Sequence, residues 1–226
     1  MSRRNEGEPH TERHRAPEPG PAPAPVGANL PTLRTAAARC RACPLWRRAT
    51  QTVFGAGPAH APFLLVGEQP GDREDREGQP FVGPAGKLLA RALEAAGVAR
   101  GEVYLTNAVK HFKWRATAGG GKRRLHDNPS RNEVLACRPW LVAEIEAVSP
   151  EVIVCLGATA AGALLGPEFR VTRQRGEVVA APFRGAVLAT VHPASILRAP
   201  DEAARARELD GLVRDLRAAR ALVPRH

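Results

Sequence analysis

The sequence predicts a single α/β domain, a three-layer α/β/α sandwich around a central four-stranded, mostly parallel sheet, and three observations lead to it. Four short apolar runs, residues 62–67, 103–109, 152–156 and 186–191, read as buried strands. Helical patterns alternate with them, which implies a mostly parallel sheet covered by helices on both faces. Polar side chains gather at or just past the ends of those runs: Glu68 and Gln69 after the first, Asn107 near the end of the second, His192 after the fourth. Open α/β sheets bind ligands along that edge.

Each helix carries its own signal. Residues 84–96 place Leu88, Leu89, Ala92 and Leu93 on one stripe, with Gly97 as a stop. Residues 130–148 open with a Ser130-to-Glu133 capping box, residues 158–165 form a short helix, and residues 201–221 a long one that closes the chain. There is no internal repeat.

The 226 residues, 43% of them hydrophobic, fit one sizeable domain. Residues 1–29 differ in composition, with Pro9, Pro17, Pro19, Pro21, Pro23 and Pro25, no aromatic residue and hardly any aliphatic one. Such a segment cannot bury a core and reads as a disordered tail, leaving 30–226 as the domain. Its charges cancel, Arg3, Arg4, Arg13 and Arg15 against Glu6, Glu8, Glu12 and Glu18, so the formal +10 belongs to the folded part. A basic domain with a pI of about 10.6 calls for a polyanionic partner, because each phosphate it neutralises releases counterions. Arginine-rich codon usage accounts for part of that excess but not for its clustering.

No apolar run approaches the roughly 20 residues of a membrane span, and the polar start lacks the apolar segment of a secretory signal. A cytoplasmic protein, acting as a monomer, is therefore expected. In that reducing compartment Cys40, Cys43, Cys137 and Cys155 read as metal ligands rather than disulfide partners. A Cys-x-x-Cys pair plus two dispersed thiols suits a four-cysteine iron-sulfur cluster better than a zinc site built on two close pairs, with zinc and plain buried thiols as the alternatives.

The densest stretch of chemistry runs from Gly67-Glu68-Gln69-Pro70-Gly71-Asp72 through Asp75 to Pro80-Phe81-Val82-Gly83-Pro84-Ala85-Gly86. It resembles motif A of the uracil-DNA glycosylase superfamily, in the iron-sulfur branch with its Gly-Glu-x-Pro-Gly turn and Pro-Phe-Val-Gly-x-x-Gly segment. The resemblance extends from about Thr35 to Leu216. A second stretch, Gly119-Gly120-Gly121-Lys122-Arg123-Arg124-Leu125-His126, is similar to the basic loop of the UdgX type, whose members attach themselves covalently to the uracil-containing DNA they attack. The resemblance implies the uracil-DNA glycosylase fold, uracil-containing DNA as partner, and a [4Fe-4S] cluster on Cys40, Cys43, Cys137 and Cys155. The cluster would be structural, since transfer at a sugar carbon needs no electron.

Breaking a deoxyuridine glycosidic bond requires a flipped base, a stabilised uracil anion and a group that meets the cationic sugar. Phe81 is placed to stack on the flipped ring. Asn107 offers an acceptor and a donor for the N3–H and O4 edge that distinguishes uracil from cytosine, and Gln69 an amide, backbone or side chain, for O2. His192 opens His192-Pro193-Ala194-Ser195-Ile196-Leu197-Arg198, similar to motif B, whose histidine donates to O2 as negative charge builds there. Ala194 stands where that motif has serine, so a hydroxyl contact to DNA depends on Ser195, with Arg198 a further DNA contact.

Glu68 is the acid expected nearest the sugar, where it orients a water, shields the cation or faces the His126 imidazole. Asp72 and Asp75 approach the sugar or brace the turn. Residues 110–126 hold Lys110, Lys113, Arg115, Lys122, Arg123 and Arg124 without an acid, interleaved with His111, Phe112, Trp114 and His126, the composition of a single-strand DNA surface. Lys122, Arg123 and Arg124 are the expected phosphate contacts. A neutral imidazole is a stronger nucleophile than water at pH 7, so His126 is the expected site of capture.

Overall fold

The structure, a computed structural model, describes residues 20, 22–117 and 124–224. The strands are β1 (Phe63–Gly67), β2 (Val103–Asn107), β3 (Trp114–Ala116), β4 (Arg124–His126), β5 (Val152–Leu156), β6 (Val178–Val179) and β7 (Ala186–Thr190). The α-helices are α1 (Leu30–Ala37), α2 (Asp72–Glu77), α3 (Pro84–Ala95), α4 (Arg131–Val148), α5 (Ala158–Leu165), α6 (Val171–Gln174), α7 (Pro193–Leu197) and α8 (Glu202–Ala221). The main sheet has the order β2-β1-β5-β7-β6. Its first four strands are parallel and are the four apolar runs; β6 adds an antiparallel edge. The sheet is thus five-stranded rather than four-stranded, because a two-residue strand has no periodicity to reveal it.

Those runs are apolar throughout because both faces are covered. Leu64, Val66, Ile153, Cys155, Val187 and Ala189 join the core shared with α1, α4 and α5. Their neighbours Phe63, Leu65, Val152, Val154 and Leu188 join the core shared with α3 and α8. Period-two alternation therefore builds two cores from one sheet. Packing also begins earlier than composition indicated. Ala22 is buried, and its N–H donates to Ala136 O at 2.9 Å, so the end of the expected tail lies against α4.

Residues 110–126 are less open than their composition suggested. Lys110, His111 and Phe112 are buried, and β3 pairs antiparallel with β4, Trp114 opposite His126. The connecting Gly119, Gly120, Gly121, Lys122 and Arg123 lie outside the described residues.

Candidate active site

The parallel ladder sets the site's floor. Gly67 is opposite Asn107 at the ends of β1 and β2, and a Cβ on Gly67 would stand 2.3 Å from Asn107 Oδ1 and 2.7 Å from Phe81 Cζ. The amide and the ring therefore converge on one glycine. Phe81 has φ of +59°, a left-handed conformation seldom taken by an aromatic residue, which turns the chain sharply into α3. That turn is possible because residue 86 is glycine: a Cβ there would lie 1.7 Å from Phe81 O. Glu74, not singled out from the sequence, accepts the Gly83 N–H at 2.8 Å and ties α2 to the start of α3.

Beyond β1, one Glu68 carboxylate oxygen takes the Thr159 hydroxyl, and the other lies 3.5 Å from His126 Nε2. Thr159, at the start of α5, is a second partner that the sequence did not disclose. Gln69 is buried. Its Oε1 accepts from Lys113 N at 3.1 Å, and its Nε2 lies 3.2, 3.0 and 3.0 Å from Lys113 O, Asp127 O and His126 Nε2. The side chain expected on uracil O2 is instead a staple across the β3–β4 hairpin. Its backbone N–H has no acceptor among the described residues. An amide nitrogen only donates, so His126 Nε2 stands there as an acceptor, with the ring proton on Nδ1.

His192 caps α7. Its Nδ1 accepts from Ala194 N at 3.1 Å, which puts the ring proton on Nε2. Burial pushes its pKa down to about 4, helped by the positive charge of Arg198, so the ring is a neutral N–H donor at pH 7. It stacks on Phe81 with centroids 6.3 Å apart and planes 26° apart. The Ser195 hydroxyl donates to His192 O at 2.7 Å, so it closes the turn instead of replacing the missing serine.

Asp72 and Arg124 play other parts than expected. Arg124 reaches Asp72 Oδ1 at 2.5 Å and Asp75 Oδ2 at 2.6 Å, and lies over the rings of Phe112 and Trp114, 5.3 and 5.6 Å from their centroids. Burial raises the Asp72 pKa, but its hydrogen bonds to Arg124 and Arg76 and their charges outweigh that and lower it overall. Both residues brace the hairpin: Arg124 has acids where a phosphate was expected, and Asp72 has Arg124 and Arg76 where a sugar was. Arg198 is in none of the ion pairs among the described residues and stays a candidate phosphate contact.

The family model described as "Uracil DNA glycosylase superfamily" matches residues 54–217, which includes every element of this edge. The chain belongs to the uracil-DNA glycosylase superfamily. It is 37% identical over 161 residues to a protein named Type-4 uracil-DNA glycosylase from Thermotoga maritima, and 39% identical over 168 residues to one of the same name from Archaeoglobus fulgidus. Each match covers 71% of this chain and 79% of the relative. The crystal structure of Pedobacter heparinus SMUG2 has a TM-score of 0.50 at 16% identity, covering 72% of this chain and 77% of that one, a likeness in fold.

A glycosylase of the iron-sulfur branch needs a place for its cluster. Cys40, Cys43 and Cys137 line one gap between α1 and α4, together with His111, Lys110 and Trp140. Cys155 does not line it; it sits fully buried inside the sheet between Val66 and Ala189, its thiol pushed up to about 12 by burial alone. The expected fourth cysteine is therefore misplaced, and His111, read only as part of a basic loop, stands at the gap. The donor chemistry fits a cluster: Trp140 Nε1–H points at Cys40 Sγ at 3.2 Å and Lys110 N–H at Cys137 Sγ at 3.3 Å, bonds that suit ligand thiolates. Among the described residues no three acid, cysteine or histidine side chains are gathered tightly enough to chelate a single ion. A cube of irons takes its ligands at separate corners.

Proposed function

We propose that this chain excises uracil from DNA, single strands in preference to duplexes, and then links itself to the abasic sugar through His126. The observation that carries this reading is the position of His126 Nε2, 3.5 Å from Glu68 Oε1, at the edge that also holds Asn107, Phe81 and His192. A flipped base stacks on Phe81 while Asn107 meets N3–H and O4. The His192 Nε2–H meets O2, and a preorganised donor of this kind lowers the barrier by about 3 to 4 kcal/mol. The C1′–N1 bond breaks with its electron pair on uracil, which takes a proton from water. Glu68 faces the sugar cation, and the His126 lone pair forms a C1′–Nε2 bond. The resulting imidazolium keeps its Nδ1 proton, the new N-glycosidic bond is not hydrolysed, and the protein acts once.

Single strands are favoured because an unpaired base is extruded at lower energy, by a few kcal/mol. Lys122, Arg123 and Arg198 would meet phosphates. A structural [4Fe-4S] cluster would be held by Cys40, Cys43 and Cys137, with His111 in the place first given to Cys155, tying α1 to α4. The protein would work as a monomer in the cytoplasm. A second reading, in which water replaces His126 as the nucleophile and the enzyme turns over, is favoured by the likeness to relatives named Type-4 uracil-DNA glycosylase. Denaturing electrophoresis of the protein mixed with a uracil-containing oligonucleotide decides between them. A heat-stable adduct that forms with free uracil, and is absent from His126→Ala, supports capture; many uracils released per protein without an adduct overturn it.

A further inference from the structure

The most enclosed ion pair among the described residues has no part in this chemistry. Lys110 on the segment after β2 and Glu144 on α4 are 1% and 0% exposed and touch each other directly. Lys110 Nζ gives its remaining hydrogens to Thr106 Oγ1 and Asn107 O, both at 2.7 Å. Glu144 Oε1 accepts from Gly55 N at 2.9 Å and Tyr104 Oη at 3.0 Å, and Oε2 from Thr106 Oγ1 at 2.8 Å. The network is fully satisfied. A buried pair of this kind is seldom more stabilising than apolar side chains of the same size, so stability is a weak reason for it to be here.

Position offers a better one. Asn107 ends β2, an edge strand whose outer side, among the described residues, is bridged only at Leu105, by Ala56. Past that bridge the Asn107 carbonyl has the Lys110 ammonium as its partner. The next two peptides are fixed on the other side, Ala108 N to Gly67 O at 2.9 Å and Val109 N to Glu68 O at 3.0 Å. The peptide that carries the uracil-reading amide is thus clamped between β1 and the ion pair, and the amide oxygen occupies the space over Gly67 that a Cβ there would fill. Lys110 also donates its N–H to Cys137 Sγ at 3.3 Å, joining this clamp to the cysteine gap.

We infer that Lys110 and Glu144 are a positioning pair that fixes the Asn107 carboxamide for uracil, and so sets the base selectivity of the site. This rests on the uracil-excision reading above. The test is a cycle of variants. Lys110→Met with Glu144→Gln removes both charges while the glutamine oxygen keeps the Gly55 and Tyr104 bonds. Single-turnover uracil release and inhibition by free uracil are measured in this variant, in Asn107→Ala and in the combination, with thermal midpoint and iron content as controls. The expected result is a midpoint and iron content close to wild type, uracil release slowed by about 10- to 100-fold, weaker inhibition by uracil, and no further loss when the pair is changed in the Asn107→Ala background. Losses that add in that background, or unchanged rates, overturn the inference while wild-type uracil release still upholds the parent reading. A wild-type protein that releases no uracil sinks both. If the paired variant does not fold, Lys110→Arg, which keeps the charge but not the compact three-acceptor geometry, is put through the same cycle and judged by the same additivity.

Discussion

Arg124→Met separates a brace from a phosphate contact. Arg124 is 12% exposed and Asp75, its partner, 0%. Without the guanidinium, Asp75 keeps only the Thr50 N–H, at 2.9 and 3.1 Å, among the described residues. Breaking a buried pair typically costs about 3 to 5 kcal/mol. The Asp72 contact adds little, because that carboxylate is 41% exposed and such pairs contribute about 1 kcal/mol at most. With the Thr50 N–H still shared by the two Asp75 oxygens, the low end applies, about 3 kcal/mol, or a midpoint lower by roughly 6 to 12 °C for a domain of this size. Calorimetry at pH 7 measures that, and the salt dependence of DNA binding measures the alternative. A brace lowers the midpoint and slows adduct formation, since the strand bearing His126 loosens, and leaves the slope of log affinity against log salt unchanged. Asp75→Asn in the same chain then recovers part of the stability, because the carboxylate no longer needs a partner. An unchanged midpoint together with a slope reduced by about 0.7 to 0.9 refutes the reasoning and returns Arg124 to the DNA.

Four further outcomes are expected. Gly86→Ala drives a Cβ into Phe81 O and disrupts the left-handed turn, so urea unfolding loses at least about 2 kcal/mol and uracil release falls with it. Cys137→Ala loses iron on elemental analysis and Cys155→Ala retains it; the reverse pattern restores the four-cysteine set. His192 has its pKa lowered from 6.5 to about 4 on folding, so its stability contribution is complete above pH 6.5 and is lost as pH falls toward 4, by up to about 3 kcal/mol. His192→Asn, which can still cap α7, flattens that limb of the urea-midpoint profile. Deleting residues 1–29 removes the Ala22 contact with α4 and lowers the thermal midpoint slightly, while uracil processing continues unchanged.

The sheet and the edge that carries the site were legible because they follow from periodicity and from the placement of Glu68, Asn107 and His192 after strands. What was not legible depends on partners far away in sequence. Gln69 belongs to the hairpin through Lys113 and Asp127, and Arg124 to α2 through Asp72 and Asp75, pairings that no local pattern announces. Cys155 misled for a related reason. Thiol spacing says nothing about what already fills the core a side chain enters, and His111 was read only as part of the basic loop when burial holds its pKa down at about 4. The two-residue β6 offers no pattern at all.

The same pairings change what the basic segment is for. Of the cations in residues 110–126 that the structure describes, Lys110 meets Glu144, Lys113 meets Glu133 at 3.1 Å, and Arg124 meets Asp72 and Asp75, which leaves Arg115 as the exposed exception. Phe112 is buried, and the Trp114 ring has the guanidinium groups of Arg48 and Arg124 over it, 4.3 and 5.6 Å from its centroid. At Lys110, Lys113 and Arg124 the segment is therefore held in place by acids of the fold. What it holds is His126, opposite Trp114 in the hairpin, stapled by Gln69 and 3.5 Å from Glu68. An imidazole fixed in that way reacts as an intramolecular group, and intramolecular groups reach effective concentrations far above that of any solute, on the order of 10⁵ M or more when well aligned. Water stands at roughly 55 M and is the weaker nucleophile, so the hairpin's rigidity is what would let the imidazole win the race for the sugar.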